Sequence, residues 1–421
     1  MSQGLARVVG LWGAVGMGLG SILGTGVFVS LAIGAGIGGA SVVLATALAA
    51  FVATCNGLSS AQLAAAHPIS GGTYEYGYRF LNPTIGFSAG VMFLVAKSAS
   101  AATAALGSVG GVLLLAGIDV DPNVRTGLAV AVVLGMTALV ASGVRRSNTF
   151  NLAIVGLTIG TLATFVGTGL ATVEGPIDLS GWGTFEPMSL LATTALMFVA
   201  YTGYGRIATL GEEVQEPAVT IPRAIIATLI VSMVLYVSVA ATAVLVVGAD
   251  AFAEAATTAA PLQVVARAIS APVATIVAVG AVTAMLGVLL NLVLGLSRVA
   301  FAMARRRDLP ESFAAVSSAQ SPVRAVWLVG LVIAGLVLLG DVRSTWTFSA
   351  FTVLIYYSIT NLAALALPPE HRRFPRLVSV LGLVSCAGLA VFVPLEMALA
   401  GATVLFVGLV ARSVLGGGSA T

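Results

Sequence analysis

Residues Gly18–Phe28 read GLGSILGTGVF. They lie in a long apolar run: from Val8 to Tyr74 there is no Lys, Arg, Asp or Glu. One helix needs roughly 20 apolar residues to cross a bilayer core. The run therefore holds two spans, with a turn expected at the GAGIGGA stretch (Gly34–Ala40). Yet glycine stands at 16, 18, 20, 24 and 26, and only proline is a worse helix former. Gly16, Gly20 and Gly24 are spaced by four, which suits close helix packing. The denser Gly24-Thr25-Gly26, placed mid-span, calls for something else. Non-helical backbone at membrane depth survives only where it is buried or lines a cavity. There its freed N–H and C=O groups can meet a ligand.

The rest of the chain has the same character. Of 421 residues, 58% are hydrophobic and only 8% charged, too few charges for a soluble domain. The fold class is an all-α polytopic membrane protein. A β-barrel would show short alternating segments. Charge-poor stretches give about twelve spans: 8–32, 40–66, 84–116, 126–144, 149–172, 188–210, 222–247, 270–303, 325–340, 345–367, 377–393 and 394–412. The first apolar run is too long for a cleavable signal peptide.

Arginine orients the spans. With the N-terminus cytoplasmic, 13 arginines fall inside, among them Arg7, Arg79, Arg145, Arg146, Arg306, Arg373 and Arg412, against Arg125, Arg267 and Arg343 outside. That bias puts both termini in the cytoplasm of a multi-pass cell-membrane protein. Glu174 and Asp178 fall on outer loops. The basic residues sit in short loops and not on one face, so nucleic acid is not a partner. Cys55, Cys386, His67 and His371 are scattered, and neither a metal site, a disulfide framework nor a cofactor is expected. GAGIGG at Gly34–Gly39 fits a dinucleotide pattern in letters only, since it follows no strand. With no nucleotide motif and no Ser/His/Asp set, an enzyme is not expected.

A second glycine break, MFVAYTGYGR, places Gly203 and Gly205 near the middle of the sixth span, five spans after the first. Transporters with inverted repeats carry discontinuous helices at such corresponding positions, facing one solute.

These residues resemble the amino acid–polyamine–organocation (APC) superfamily. GSILGTGVF resembles its broken first helix. Ala61–Gly90 (AQLAAAHPISGGTYEYGYRFLNPTIGFSAG) resembles its passage from second to third helix. Phe198–Ile225 (FVAYTGYGRIATLGEEVQEPAVTIPRAI) resembles the sixth helix and the loop after it. Leu296–Pro310 (LSRVAFAMARRRDLP) and Phe351–Pro368 (FTVLIYYSITNLAALALP) resemble the ends of the eighth and tenth. The resemblance implies a five-plus-five inverted repeat: helices 1–5 in residues 1–172, helices 6–10 in 173–368, and two further helices in 369–421. It also implies a secondary active transporter, a permease moving amino acids by alternating access. The solute's carboxylate would meet amides of Gly24, Thr25 and Gly26. Its amine would meet carbonyls of Ile22, Val199, Ala200 and Thr202, beside the Gly203 break. Phe198, Tyr201 and Tyr204 would line or gate the site, and ordinary helix packing explains each of them equally well.

The departures concern charge. Many relatives carry a lysine in the fifth helix; the aligned residue here is Thr158. The chain's single lysine, Lys97, falls deep in the third span, and Arg206 follows the sixth-helix break. An ionisable residue inside a membrane span is a functional candidate. Lys97 is the candidate proton-responsive group, and Arg206 a gate residue pairing with Glu212 or Glu213. Sodium held by the first-helix backbone and hydroxyls such as Thr283 is the other coupling reading. No Asp or Glu falls mid-span, so a cationic side chain would cross uncompensated, which is costly. A neutral amino acid is expected, with room near Ser100 for its side chain. An acidic amino acid with Lys97 as counter-ion, or an amine, are further options, as is exchange in place of symport. A solute channel and a non-transporting scaffold or sensor are the readings from other classes.

Overall fold

The computed structural model describes residues 9–69, 71–142, 148–173, 185–209, 214–258, 260–316 and 322–415. Arg7, Arg145, Arg146, Glu174, Asp178, Glu212 and Glu213 lie outside the described residues.

Helices fill the predicted spans. The first span holds α1 (Leu11–Ile22) and α2 (Leu31–Gly38), and the second α3 (Val42–Ala66). A short α4 (Thr73–Phe80) leads into α5 (Pro83–Ala116), followed by α6 (Pro122–Ala141) and α7 (Asn148–Thr172). The sixth span holds α8 (Pro187–Tyr201) and the four-residue α9 (Gly205–Ala208). Then come α10 (Pro217–Ala255), α11 (Pro261–Ile269), α12 (Ala271–Arg305), α13 (Val323–Leu339), α14 (Val342–Leu365), α15 (Arg376–Ala390) and α16 (Leu395–Leu415). Proline opens several of them because its missing N–H would be unbonded there anyway. The Asn82 side chain accepts the Ile85 N–H at 2.8 Å and starts α5. Asp341 and Ser344 form a reciprocal cap on α14.

Among the described residues, eight helical segments are long and apolar enough to cross a membrane. No β-strand forms among them, only an isolated bridge between Val9 and Val214. The chain is a polytopic α-helical membrane protein. At its centre α5 packs between α12 and α14, while α3 packs on α8 and α10. The inner stretch of α5 is built from small buried residues, Ala99, Ala101, Ala102, Ala104 and Ala105, which let neighbouring backbones come close.

One expectation needs correction. GAGIGGA is mostly helix: α2 runs through Gly34, Gly36 and Gly38, and the turn is confined to Gly39–Ser41. Gly34 and Gly38 are contact points, where a Cβ would meet Met197 and Thr193 of α8. Only Gly39 takes a left-handed φ, +57°. The sixth-span break falls at the second glycine pair, as its residues suggest. α8 stays helical through Tyr201, and the chain tightens into a 3₁₀ turn at Thr202–Tyr204. The Thr202 N–H reaches back to the Val199 carbonyl, which closes α8 with a tight turn in place of an unwound strand.

Candidate functional site

The first break opens where Leu23 leaves the helical region (ψ 93°). The chain re-enters helix through a wide π-turn at Gly26–Ser30. Helix ends leave carbonyls without partners, and inside a membrane each must find one. Other helices supply them. Asn291 of α12 donates to the Gly20 carbonyl at 2.9 Å, while Asn151 of α7 donates to the Gly16 carbonyl in the body of α1 at 2.7 Å. Tyr236 of α10 donates its hydroxyl to the Ile22 carbonyl at 2.7 Å.

Glycine here serves close approach. A Cβ on Gly24 would stand 2.6 Å from a Val288 methyl, and one on Gly26 would stand 2.8 Å from the Ala200 Cβ and 3.0 Å from the Tyr236 hydroxyl. A Cβ on Gly203 would collide with the Ser21 carbonyl and the Ile22 side chain. The two breaks therefore lie against each other, Gly203 on the end of α1 and Gly26 on the end of α8.

The second break has its own partners. The Thr202 hydroxyl donates to the Val199 carbonyl at 2.7 Å. Tyr357 of α14 donates to the Thr202 carbonyl at 3.2 Å. Lys97 of α5 completes the turn: its Nζ lies 2.6 Å from Thr202 Oγ1. That oxygen gives its proton to Val199, so it is the acceptor in this contact. Lys97 is only 6% exposed.

Beside this turn lies a small cavity of about 20 Å³, bordered by Ser21, Lys97, Thr202, Gly203, Arg206 and Asn291, with Phe93 and Leu296 on its apolar wall. Two bordering side chains are basic, and none of the cavity-lining residues is acidic.

The predicted residues divide into three groups. Lys97, Thr202, Gly203 and Arg206 are brought together on the cavity. Ile22, Gly24, Thr25, Gly26, Phe198, Val199 and Ala200 are buried at the junction of the breaks, outside the cavity lining. The Thr25 hydroxyl there has no hydrogen-bond partner among the described residues. Tyr201 bonds the Thr46 carbonyl at 3.2 Å, and Phe198 and Tyr204 each stack on Tyr357 at 5.5 Å. The third group sits elsewhere. Ser100 bonds Ser349 of α14 at 2.9 Å, pinning α5 to α14. Thr158 and Thr283 bond back to carbonyls of their own helices, Ile154 and Val279, both at 2.8 Å. The α12 residues against Gly24 are Ala284 and Val288.

Sequence reading passed over Ser21, Asn151, Asn291, Tyr236 and Tyr357. The asparagines did carry a signal. Each is a lone amide in an apolar span, and a buried amide in lipid needs a backbone partner.

Two broken membrane helices meeting beside a small, partly polar cavity define a membrane transport protein of the discontinuous-helix type. Comparison places the chain more closely: the amino acid permease family profile matches residues 9–414, and the chain belongs to that family. An uncharacterized transporter of Mycobacterium tuberculosis is 41% identical over 419 residues, covering 97% of this chain and 91% of the relative. The methylthioribose transporter of Bacillus subtilis is 30% identical over 393 residues, 88% of this chain and 83% of that one. The branched-chain amino acid permease BcaP of Bacillus subtilis is 27% identical over 416 residues, 92% and 87% of the two chains.

Proposed function

We propose that this chain is a secondary active transporter that moves neutral amino acids across the cytoplasmic membrane by alternating access, coupled to protons through Lys97. Its twelve spans form two five-helix inverted repeats (residues 1–172 and 173–368) with two helices added (369–421), and both termini are cytoplasmic. The observation that carries this reading is the meeting of the two helix breaks, five spans apart, beside a cavity with basic and no acidic lining residues. A cationic side chain would enter that cavity against Lys97 and Arg206, so arginine, lysine and polyamines are disfavoured. The relative named for branched-chain amino acids agrees with a neutral solute.

Protons are preferred over sodium as the coupling ion on packing grounds. The α12 side chain against Gly24 is the Val288 methyl, and the Thr283 hydroxyl is turned to its own helix. An oxygen-lined cation site suits neither. Arg206 pairs across the cytoplasmic mouth and serves as a gate.

Reconstituted vesicles test the reading. Saturable uptake and counterflow of alanine or leucine, driven by a pH gradient and indifferent to sodium, is the expected result. Unsaturated conductance identifies a channel, and no flux at all a scaffold. Methylthioribose belongs in the same panel, because a relative is named for it. Stronger competition by arginine or putrescine than by leucine would overturn the electrostatic assignment.

A further inference from the structure

We propose that the loop between α14 and α15, together with the start of α10, binds the phosphate headgroup of an anionic phospholipid whose acyl chains lie along α3. The proposal stands on the membrane fold and is independent of which solute is carried.

The frame comes from α3. Its Asn56 donates to the Cys386 sulfur of α15 at 3.2 Å. The next residue, Gly57, faces α10: a Cβ there would stand 2.6 Å from a Leu229 methyl. Successive helix residues point about 100° apart, so α15 and α10 flank α3. Phe51 and Leu58, two turns apart on α3, fall on the side between these neighbours; Phe51 is 53% exposed and Leu58 half-buried. A groove therefore runs down α3 between α10 and α15. Its walls are apolar, with Ile226 and Ile230 exposed on α10 and Val380 and Val384 exposed on α15.

Each wall is headed by an exposed arginine. Arg223 stands three residues before Ile226, and Arg376 four before Val380, each on the same helix stripe. Arg372 and Arg373 lie in the loop just before α15. That loop is held in place by Gln62 at the end of α3. The Gln62 side-chain oxygen accepts the N–H groups of Arg373 (3.3 Å) and Phe374 (3.4 Å), and its amide donates to Ser379 of α15 at 3.3 Å. Arg373 then crosses to α10, where its guanidinium donates to the Ala218 carbonyl. The two walls are thus bridged at the head of the groove.

Charge and unmet hydrogen bonding select the occupant. Residues 214–223 and 369–376 carry four arginines against two acids, Glu216 and Glu370. The Arg372 Nε–H is buried and has no acceptor among the described residues. A buried donor is costly until an acceptor arrives. A phosphodiester supplies acceptor oxygens and the opposite charge, and guanidinium groups grip it in two-pronged fashion. Basic pockets between membrane helices at the bilayer surface suit such headgroups. The apolar groove directly beneath gives the acyl chains a place, which a free anion would not need.

The test compares two lipids with the same tails. Protein purified in nonionic detergent is titrated with dioleoyl phosphatidylglycerol and dioleoyl phosphatidylcholine, reading melting temperature and lipid retained in native mass spectra. One arginine near an anionic headgroup is worth about a fivefold change in affinity. Wild type should therefore prefer phosphatidylglycerol by roughly 25-fold, and the gap should narrow as salt rises. Arg373→Gln combined with Arg376→Gln cancels the net charge of the two segments and should erase the preference. Arg324→Gln, at the start of α13, should keep it. Should the double variant not fold, Arg376→Gln alone, at an exposed site, should cut the preference about fivefold. Equal binding of the two lipids by wild type, or a preference that survives these substitutions, overturns the proposal. Millimolar inorganic phosphate that stabilises the protein as much as phosphatidylglycerol does assigns a free-anion site and overturns the lipid assignment.

Discussion

At the scale of the residue, glycine carries two different messages in this chain. Gly203 sits where any Cβ collides with the Ser21 carbonyl. Gly127 of α6 has nothing within 4 Å of an added Cβ. Gly203→Ala should therefore lower stability by about 1–3 kcal/mol through overpacking and abolish uptake. Gly127→Ala should be neutral or stabilising by up to about 1 kcal/mol, since alanine is the better helix former. Thermal unfolding of the two variants in detergent separates them, and equal melting temperatures would contradict the packing described. Lys97 makes a second prediction. Lys97→Ala should flatten the pH dependence of uptake. Lys97→Arg, permanently charged, should slow turnover at every pH. An unchanged pH profile in Lys97→Ala would take Lys97 out of the coupling step. The sequence made Lys97 conspicuous as the chain's one lysine. It did not reveal Thr202 as its partner, which depends on how α5 meets α8.

At the scale of the element, a broken helix is stable only if its orphaned carbonyls are taken up elsewhere. Tyr236 and Asn291 do this for the end of α1, and Tyr357 does it for the turn after α8. Removing one such donor leaves a buried acceptor bare. Tyr236→Phe should cost about 1–3 kcal/mol. It should do so with little change in packing, because only the hydroxyl is lost. A melting temperature within error of wild type would show that the Ile22 carbonyl finds another partner. The existence of both breaks was legible from local glycine density. The extent of the turn after the first span was not: GAGIGGA is mostly helical, with Gly34 and Gly38 packed on α8, a contact that no local propensity encodes.

At the scale of the whole molecule, one polar cluster ties elements from both ends of the chain. Asp308, just past α12, accepts from the hydroxyls of Tyr74 (2.7 Å) and Tyr78 (2.5 Å) on α4. It also pairs with Arg412 of α16 at 3.1 Å. Arg412 reaches the Pro83 carbonyl at 3.0 Å, and Arg306 grips Glu75 through two hydrogen bonds. In the sequence these arginines read simply as loop charges that set topology. Asp308→Ala removes the ion-pair partner of Arg412 and the acceptor of two tyrosine hydroxyls and should cost about 2–3 kcal/mol. Burial, reinforced by the hydrogen bond to Asp308, raises both the Tyr74 and Tyr78 phenols above the usual tyrosine range. The folded protein then keeps protons that the unfolded chain releases near pH 10. This contribution is full below that pH and is lost as pH rises past it. Melting temperature in detergent should fall through the alkaline range, and Tyr78→Phe should reduce the slope. A slope unaltered by the substitution would dissociate the cluster from alkaline unfolding.

The sequence by itself determined the class of protein. Charge scarcity, apolar runs of membrane length and two glycine-dense interruptions are local properties, and lipid leaves helices as the form that can satisfy such backbone. The tertiary structure decided which of the flagged residues share a cavity. Lys97, Asn291 and the Thr202–Arg206 turn come from three spans far apart in the chain, and their meeting depends on long-range packing around α5. It also decided that Tyr236 takes up the Ile22 carbonyl and that Val288 and Ala200 pack against Gly24 and Gly26. A carbonyl freed by a helix break is open to a solute only if no neighbouring side chain reaches it first. That is a matter of which helix lies alongside, and the order of residues within one span does not contain it.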